Sequence, residues 1–80
     1  MPLFLSKTSL KYLAKVEKAT RRKIFTAIEG LPFEGDIKKL RGAGTPNLFR
    51  LRVGKYRIIY TWEEDVIRIV DIDTRGDVYK

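Results

Sequence analysis

The chain is 80 residues long, room for one domain spanning 1–80. It carries 17 Lys and Arg against 10 Asp and Glu, a net charge of +7, with no cysteine and no histidine. That composition excludes disulfides, thiolate or imidazole metal sites, and Ser-His-Asp or Cys-His nucleophilic machinery. The scattered carboxylates suggest no hard-cation site either, so neither a metal nor a cofactor is expected. No apolar run approaches the ~18 residues of a membrane span and no signal-like segment follows Met1, so a soluble, cytoplasmic protein is expected. The charge is uneven. Residues 1–62 carry a surplus of +10 and residues 63–80 a deficit of −3. A polyanion would meet the first part, although Lys-rich solvated faces alone produce a similar balance.

In chain order, Leu3–Leu5 is a short apolar run that predicts a strand, at an edge or beside the last strand of the chain. Ser6 is a good N-cap. Leu10, Leu13 and Val16 recur at three-residue steps, with Ala14 beside Leu10 and lysines between, which predicts a helix over about 7–15. The period breaks around 16–19. Ile24, Ala27, Ile28 and Leu31 form a second stripe, with Arg21, Arg22 and Lys23 on its outer turn, and Gly30 and Pro32 end it. Two consecutive helices then make a hairpin.

Residues 32–46 read as a loop punctuated by Pro32, Gly35, Gly42, Gly44 and Pro46, with Ile37 and Leu40 pinning it to the core. Lys38, Lys39 and Arg41 make it basic: a solvated loop, or a contact for RNA phosphates. From residue 47 the period becomes two. Gly54-Lys55 fits a two-residue type II′ turn, which sets Val53 opposite Tyr56, Leu51 opposite Ile58, Phe49 opposite Tyr60, and Asn47 opposite Trp62. That face is apolar and aromatic and should lie under the helices, so Tyr56, Tyr60 and Trp62 are core residues. The other face carries Arg50, Ile59, and Arg52 directly opposite Arg57. After a polar turn at 63–65, Val66–Asp73 forms a third strand. The expected fold class is α+β: an N-terminal strand and helical hairpin packed on an antiparallel β-meander.

Like charges facing each other across a strand pair repel. Arg52 could find relief by stacking on a neighbour or pairing with Asp71 or Asp73. The functional alternative is an anion site, since forked guanidiniums hold phosphate bidentately. Local stability and residue choice conflict most often at functional sites. Arg52 is therefore a candidate phosphate contact, with Lys38, Lys39 and Arg41.

The segment Phe49-Arg-Leu-Arg-Val-Gly-Lys-Tyr-Arg-Ile-Ile-Tyr60, closed by Arg75-Gly-Asp-Val-Tyr79, resembles the RelE branch of the RelE/ParE toxin superfamily. The resemblance follows the whole chain in element order. It implies an mRNA endoribonuclease working in the ribosomal A site without a metal, the toxin of a type II toxin–antitoxin pair, held inactive by an acidic antitoxin protein. It places the family's basic site positions on Arg50, Arg57 and Arg75 and its tyrosine on Tyr79. Leu48 and Thr74 stand where relatives carry a lysine and a histidine. The ParE branch has the same fold but inhibits DNA gyrase without cutting. An inert basic nucleic-acid-binding module, working through the helices, is a third reading.

The chemistry expected of such a nuclease is attack of an RNA 2′-hydroxyl on its own 3′-phosphate. The site must orient that attack, neutralise charge on the phosphorane oxygens and move two protons. Arginines meet the second need. Without histidine, the protons fall to Tyr79, a lysine or a carboxylate such as Asp77. Guanidiniums near Tyr79 would favour its phenolate. Tyr79 could instead stack on a base, or simply pack as a terminal tyrosine.

Overall fold

The computed structural model describes residues 2–40 and 47–74. Two helices, α1 (Lys7–Lys15) and α2 (Lys18–Glu29), cover one face of a five-stranded sheet. Its strands are β1 (Leu3–Leu5), β2 (Asp36–Lys39), β3 (Leu48–Val53), β4 (Tyr56–Glu63) and β5 (Val66–Asp73), in spatial order β1-β5-β4-β3-β2. Strands β2 to β5 are antiparallel, and β1 joins β5 in parallel. β1 is thus both an edge strand and the neighbour of the last strand.

Ser6 begins α1 as its residue type predicts. Its hydroxyl accepts the Ser9 backbone N–H at 3.1 Å and contacts the Ser9 hydroxyl at 2.9 Å, while the Leu10 N–H reaches the Ser6 carbonyl at 3.0 Å. The apolar stripe of α1 is rotated from the expected one. Ser9 and Leu13 are buried, Tyr12 and Val16 half-buried, and Leu10 is 52% exposed. A serine can occupy the inner position because its hydroxyl is satisfied locally by Ser6.

The helices meet through Arg21. Its Nε donates to the Leu13 carbonyl at 2.8 Å, and one terminal nitrogen reaches the carbonyls of Val16 at 3.2 Å and Ala14 at 3.5 Å. These are acceptors at the C-terminal end of α1, where a cation also meets the negative pole of the helix. Arg21 is therefore a cap rather than part of an outward basic surface. α2 buries Ile24 and Ile28, and Leu31 follows them into the core.

Part of the expected loop 32–46 is a strand. β2 pairs with β3 over Asp36↔Arg52 to Lys39↔Phe49, and the Leu40 N–H continues the ladder to the Leu48 carbonyl at 2.9 Å. Only Ile37 of β2 packs against the core, so no apolar alternation marks the strand. Gly35 admits it: with φ +115°, a Cβ there would lie 2.6 Å from Leu51 Cδ1.

The β3–β4 register matches the expected one: Phe49↔Tyr60, Leu51↔Ile58, Arg52↔Arg57 and Val53↔Tyr56. Gly54 has φ +58° and Lys55 stays outside the left-handed region, as a type II′ turn requires. The next turn, Glu64-Asp65, has both residues left-handed at φ 50° and 63°, the type I′ pattern without its usual glycine. β5 carries a bulge. Ile59 faces Asp71 but Tyr60 faces Ile69, so Val70 is the extra residue and Ile67, Ile69 and Ile72 all turn inward. The core joins these isoleucines to Leu13, Ile24, Ile28, Leu31, Leu51, Ile58 and Tyr60. No described helix is long and apolar enough to cross a membrane.

Candidate nucleic-acid interface on the open sheet face

Alternation along the strands puts Phe49, Leu51, Ile58 and Tyr60 under the helices, and Arg50, Arg52 and Arg57 on the opposite face. Two rows cross that face. One reads Asp36, Arg52, Arg57, Asp73 on β2 to β5; the next reads Lys38, Arg50, Ile59, Asp71. In the first row the two cations are neighbours and the carboxylates stand outside them.

Each arginine finds only partial compensation. A terminal nitrogen of Arg50 lies 3.5 Å from Asp36 Oδ1, a long contact to a carboxylate that is itself largely exposed. The Arg50 side chain is only 13% exposed, and its Nε is buried with no hydrogen-bond partner among the described residues. Arg57 Nε lies 3.7 Å from Asp73 Oδ1, beyond hydrogen-bond reach, and likewise has no partner of its own. Arg52 is exposed. Of the possible partners for Arg52, Asp73 stands opposite Arg57 and forms an ion pair with it. A buried guanidinium N–H without an acceptor is costly, and an anion oxygen would satisfy it.

Of the other candidates, Lys38 stands opposite Arg50 on the same face. Lys39 stands opposite Phe49, so it projects to the helix side of the edge strand, away from the arginines. Arg41, Arg75 and Tyr79 lie outside the described residues. Leu48 shares the arginine face, two residues from Arg50, paired with Thr61. Sequence reasoning missed the carboxylate Asp36 because it read 32–46 as a loop. Only the strand pairing brings Asp36 to the arginines.

Two tyrosines can be assigned from their surroundings. Burial raises the pKa of Tyr60, whose hydroxyl has no hydrogen-bond partner among the described residues and whose ring stacks on Phe49 at 5.4 Å. Burial also raises that of Tyr12, helped by Tyr56, Asp73 and Asp71 and opposed by a hydrogen bond with Thr74. Neither is a source of phenolate near neutral pH. Among the described residues no cluster of three acidic side chains could hold a metal ion.

Residues 3–79 match the family model described as the ParE toxin of the type II toxin–antitoxin system, parDE. Two archaeal structures are similar over nearly the whole chain. The RelE–RelB complex from Pyrococcus horikoshii OT3 superposes with a TM-score of 0.79 at 31% identity, covering 94% of each chain. The RelB–RelE antitoxin–toxin complex from Methanococcus jannaschii gives 0.75 at 32% identity, covering 95% of this chain and 94% of that one. A mutant E. coli RelE in the free state shares the fold, with a TM-score of 0.71 at 20% identity over 92% of this chain and 82% of its own. No curated protein matches the sequence.

Proposed function

The chain belongs to the RelE/ParE toxin superfamily of type II toxin–antitoxin systems, and on that premise we propose that it is a metal-independent endoribonuclease that cuts mRNA in the ribosomal A site and so stops translation. The observation that carries the reading is the paired deficit on the open face: Arg50 and Arg57 each keep a buried Nε–H without a hydrogen-bond acceptor among the described residues. A phosphodiester supplies anionic oxygens for both.

In the proposed reaction the 2′-hydroxyl attacks the adjacent phosphorus. The O2′–P bond forms and the P–O5′ bond breaks, leaving a 2′,3′-cyclic phosphate and a 5′-hydroxyl. Arg50 and Arg57, joined by Arg75, hold the phosphorane oxygens. One proton leaves O2′ and one reaches O5′. Tyr79 is the assigned group for this transfer, or the platform on which a base stacks. Arg52 and Lys38 meet flanking phosphates, a role we also propose for Arg41, whereas Lys39 turns to the other side of the sheet. The inhibitor is an acidic antitoxin protein, as the antitoxin-bound state of the two archaeal relatives supports. An mRNA target implies a cytoplasmic protein that needs no cofactor.

A second reading is the one the resemblance implies for the ParE branch, a protein that inhibits DNA gyrase by binding; it is favoured by a matching family model described as a ParE toxin. One experiment separates the two. Purified protein is incubated with programmed ribosomes and, separately, with gyrase and supercoiled DNA. Cleavage that requires ribosomes is expected. Arg57→Ala should slow it roughly a hundredfold, about 3 kcal/mol of transition-state stabilisation. Lys11→Ala, on the exposed surface of α1, should leave it close to wild type. Gyrase inhibition without RNA cleavage would overturn the nuclease reading, and equal losses in the two variants would overturn the sheet-face site.

A further inference from the structure

One row beyond the arginines, the same face carries a different grouping. Phe4 on β1 stands opposite Arg68 on β5, which stands opposite Thr61 on β4, and Glu63 faces Val66 beside them. The Arg68 guanidinium lies over the Phe4 ring, 5.2 Å from its centroid, and Phe4 is 52% exposed. Next to this pair, Thr61, Glu63, Glu64, Val66 and Arg68 line an open concavity of about 190 Å³. Thr61 lies two residues along β4 from Ile59, the partner of Arg50, a distance of roughly 7 Å.

We propose that Phe4 and Arg68 form a stacking platform for one nucleobase of a single-stranded RNA whose phosphates lie on Arg50 and Arg57, with Glu63 reading the edge of that base. The inference rests on the nuclease reading above and adds to it a subsite with a base preference. Three observations carry it. First, an aromatic ring left half open on an edge strand is a liability unless something covers it. A guanidinium already stacked on a ring presents a second flat surface of the kind on which unpaired bases lie. Second, the platform is continuous with the arginine face, on the same side of one rigid sheet. Third, Glu63 and Glu64 repel phosphate, so the concavity takes the uncharged base while the backbone stays with the arginines. An ionised carboxylate only accepts hydrogen bonds. Adenine, cytosine and guanine offer it an exocyclic amine, whereas uracil flanks its single N–H with two carbonyl oxygens. The subsite therefore favours an amino-bearing base over uracil.

The test is NMR titration of the full chain with the RNA hexamers rC6 and rU6, with ribosome-dependent cleavage assayed in parallel. Wild type should bind rC6 more tightly than rU6, with saturable shifts at the amides of Phe4, Thr61, Glu63 and Arg68. Phe4→Leu and Arg68→Gln should each weaken rC6 about tenfold, the worth of one stacked base, and Phe4→Tyr should retain wild-type affinity. Glu63→Gln should bring the two hexamers together. Both Phe4 and Arg68 are exposed, and a urea midpoint checks that each variant is folded. If Phe4→Leu and Arg68→Gln bind as wild type while Arg57→Ala fails, the platform is wrong and the nuclease reading stands. If wild type neither binds nor cleaves RNA, both fall. If Phe4→Leu loses only a protein partner, the surface belongs to that partner and the platform is overturned.

Discussion

Arg52 and Arg57 stand directly opposite each other on adjacent strands, with Asp36 beyond one and Asp73 beyond the other. Neither carboxylate lies between the two cations, so their mutual repulsion is only partly compensated. Arg52→Thr should raise stability by about 0.2–1 kcal/mol, the range for cross-strand pairs, and the gain should shrink in high salt. The same change should weaken RNA binding. Urea midpoints at two salt concentrations check the first expectation, and a higher midpoint together with unaltered RNA affinity would show that the repulsion serves no ligand.

Arg21 should behave in the opposite way. Its guanidinium is engaged with backbone carbonyls at the end of α1. Arg21→Ala should cost about 1–3 kcal/mol by leaving those acceptors uncapped. RNA cleavage per folded molecule should not change. Thermal melting beside an activity assay distinguishes this arginine from those on the open face, and a stable but inactive Arg21→Ala would contradict the assignment.

Tyr60 is buried with an unsatisfied hydroxyl. Tyr60→Phe removes that group and should be stabilising by about 1 kcal/mol. The pH dependence follows from the raised pKa values of Tyr12 and Tyr60. Both groups are neutral in the fold and ionise more easily when unfolded. Their contribution is complete below the ordinary tyrosine pKa and is lost as pH rises through the higher folded values. Wild type should lose stability above pH ~10, and the double variant Tyr12→Phe, Tyr60→Phe should lose less. Denaturation series from pH 8 to 11 measure it.

The antitoxin should associate fast at low ionic strength and more slowly as salt rises. The surplus of +10 over residues 1–62 steers an acidic segment, while apolar anchors govern its departure. Stopped-flow binding at two salt concentrations checks this. An unchanged on-rate would remove the electrostatic account and leave the family assignment intact.

The hairpin from Phe49 to Tyr60 was legible because three signals agree: strict alternation on both sides, a glycine where a positive φ is required, and aromatic residues on a single face. From that register alone came the opposition of Arg52 and Arg57. β2 was not legible, since an edge strand of four residues needs only one inward side chain, and Ile37 among charged neighbours carries no period. The bulge at Val70 shifts the inward phase of β5 from Ile69 to Ile72, a step visible only against β4. In α1 the local hydrogen bonds of Ser6 let Ser9 displace Leu10 from the core. Arg21 looked like surface charge because its partners are carbonyls, which composition does not reveal. Arg50, Arg52, Arg57 and Lys38 share a face as the register implies, whereas Lys39 turns away because adjacent residues of a strand point to opposite sides.

β1 pairs in parallel with β5, and the Ser6 N–H and hydroxyl bond to the carbonyls of Ile69 and Val70 at 2.8 and 3.0 Å. β1 therefore finds its place only once a strand far along the chain is available; Ser6 and Val70 are 64 residues apart. Until Ile69 and Val70 are in place, Leu5 has no strand to join and α1 lacks its packing against β5, so the core that supports the arginine face cannot close. Contacts of such long sequence separation also slow folding. On the nuclease reading, the site would be complete only when these contacts of long sequence separation are made.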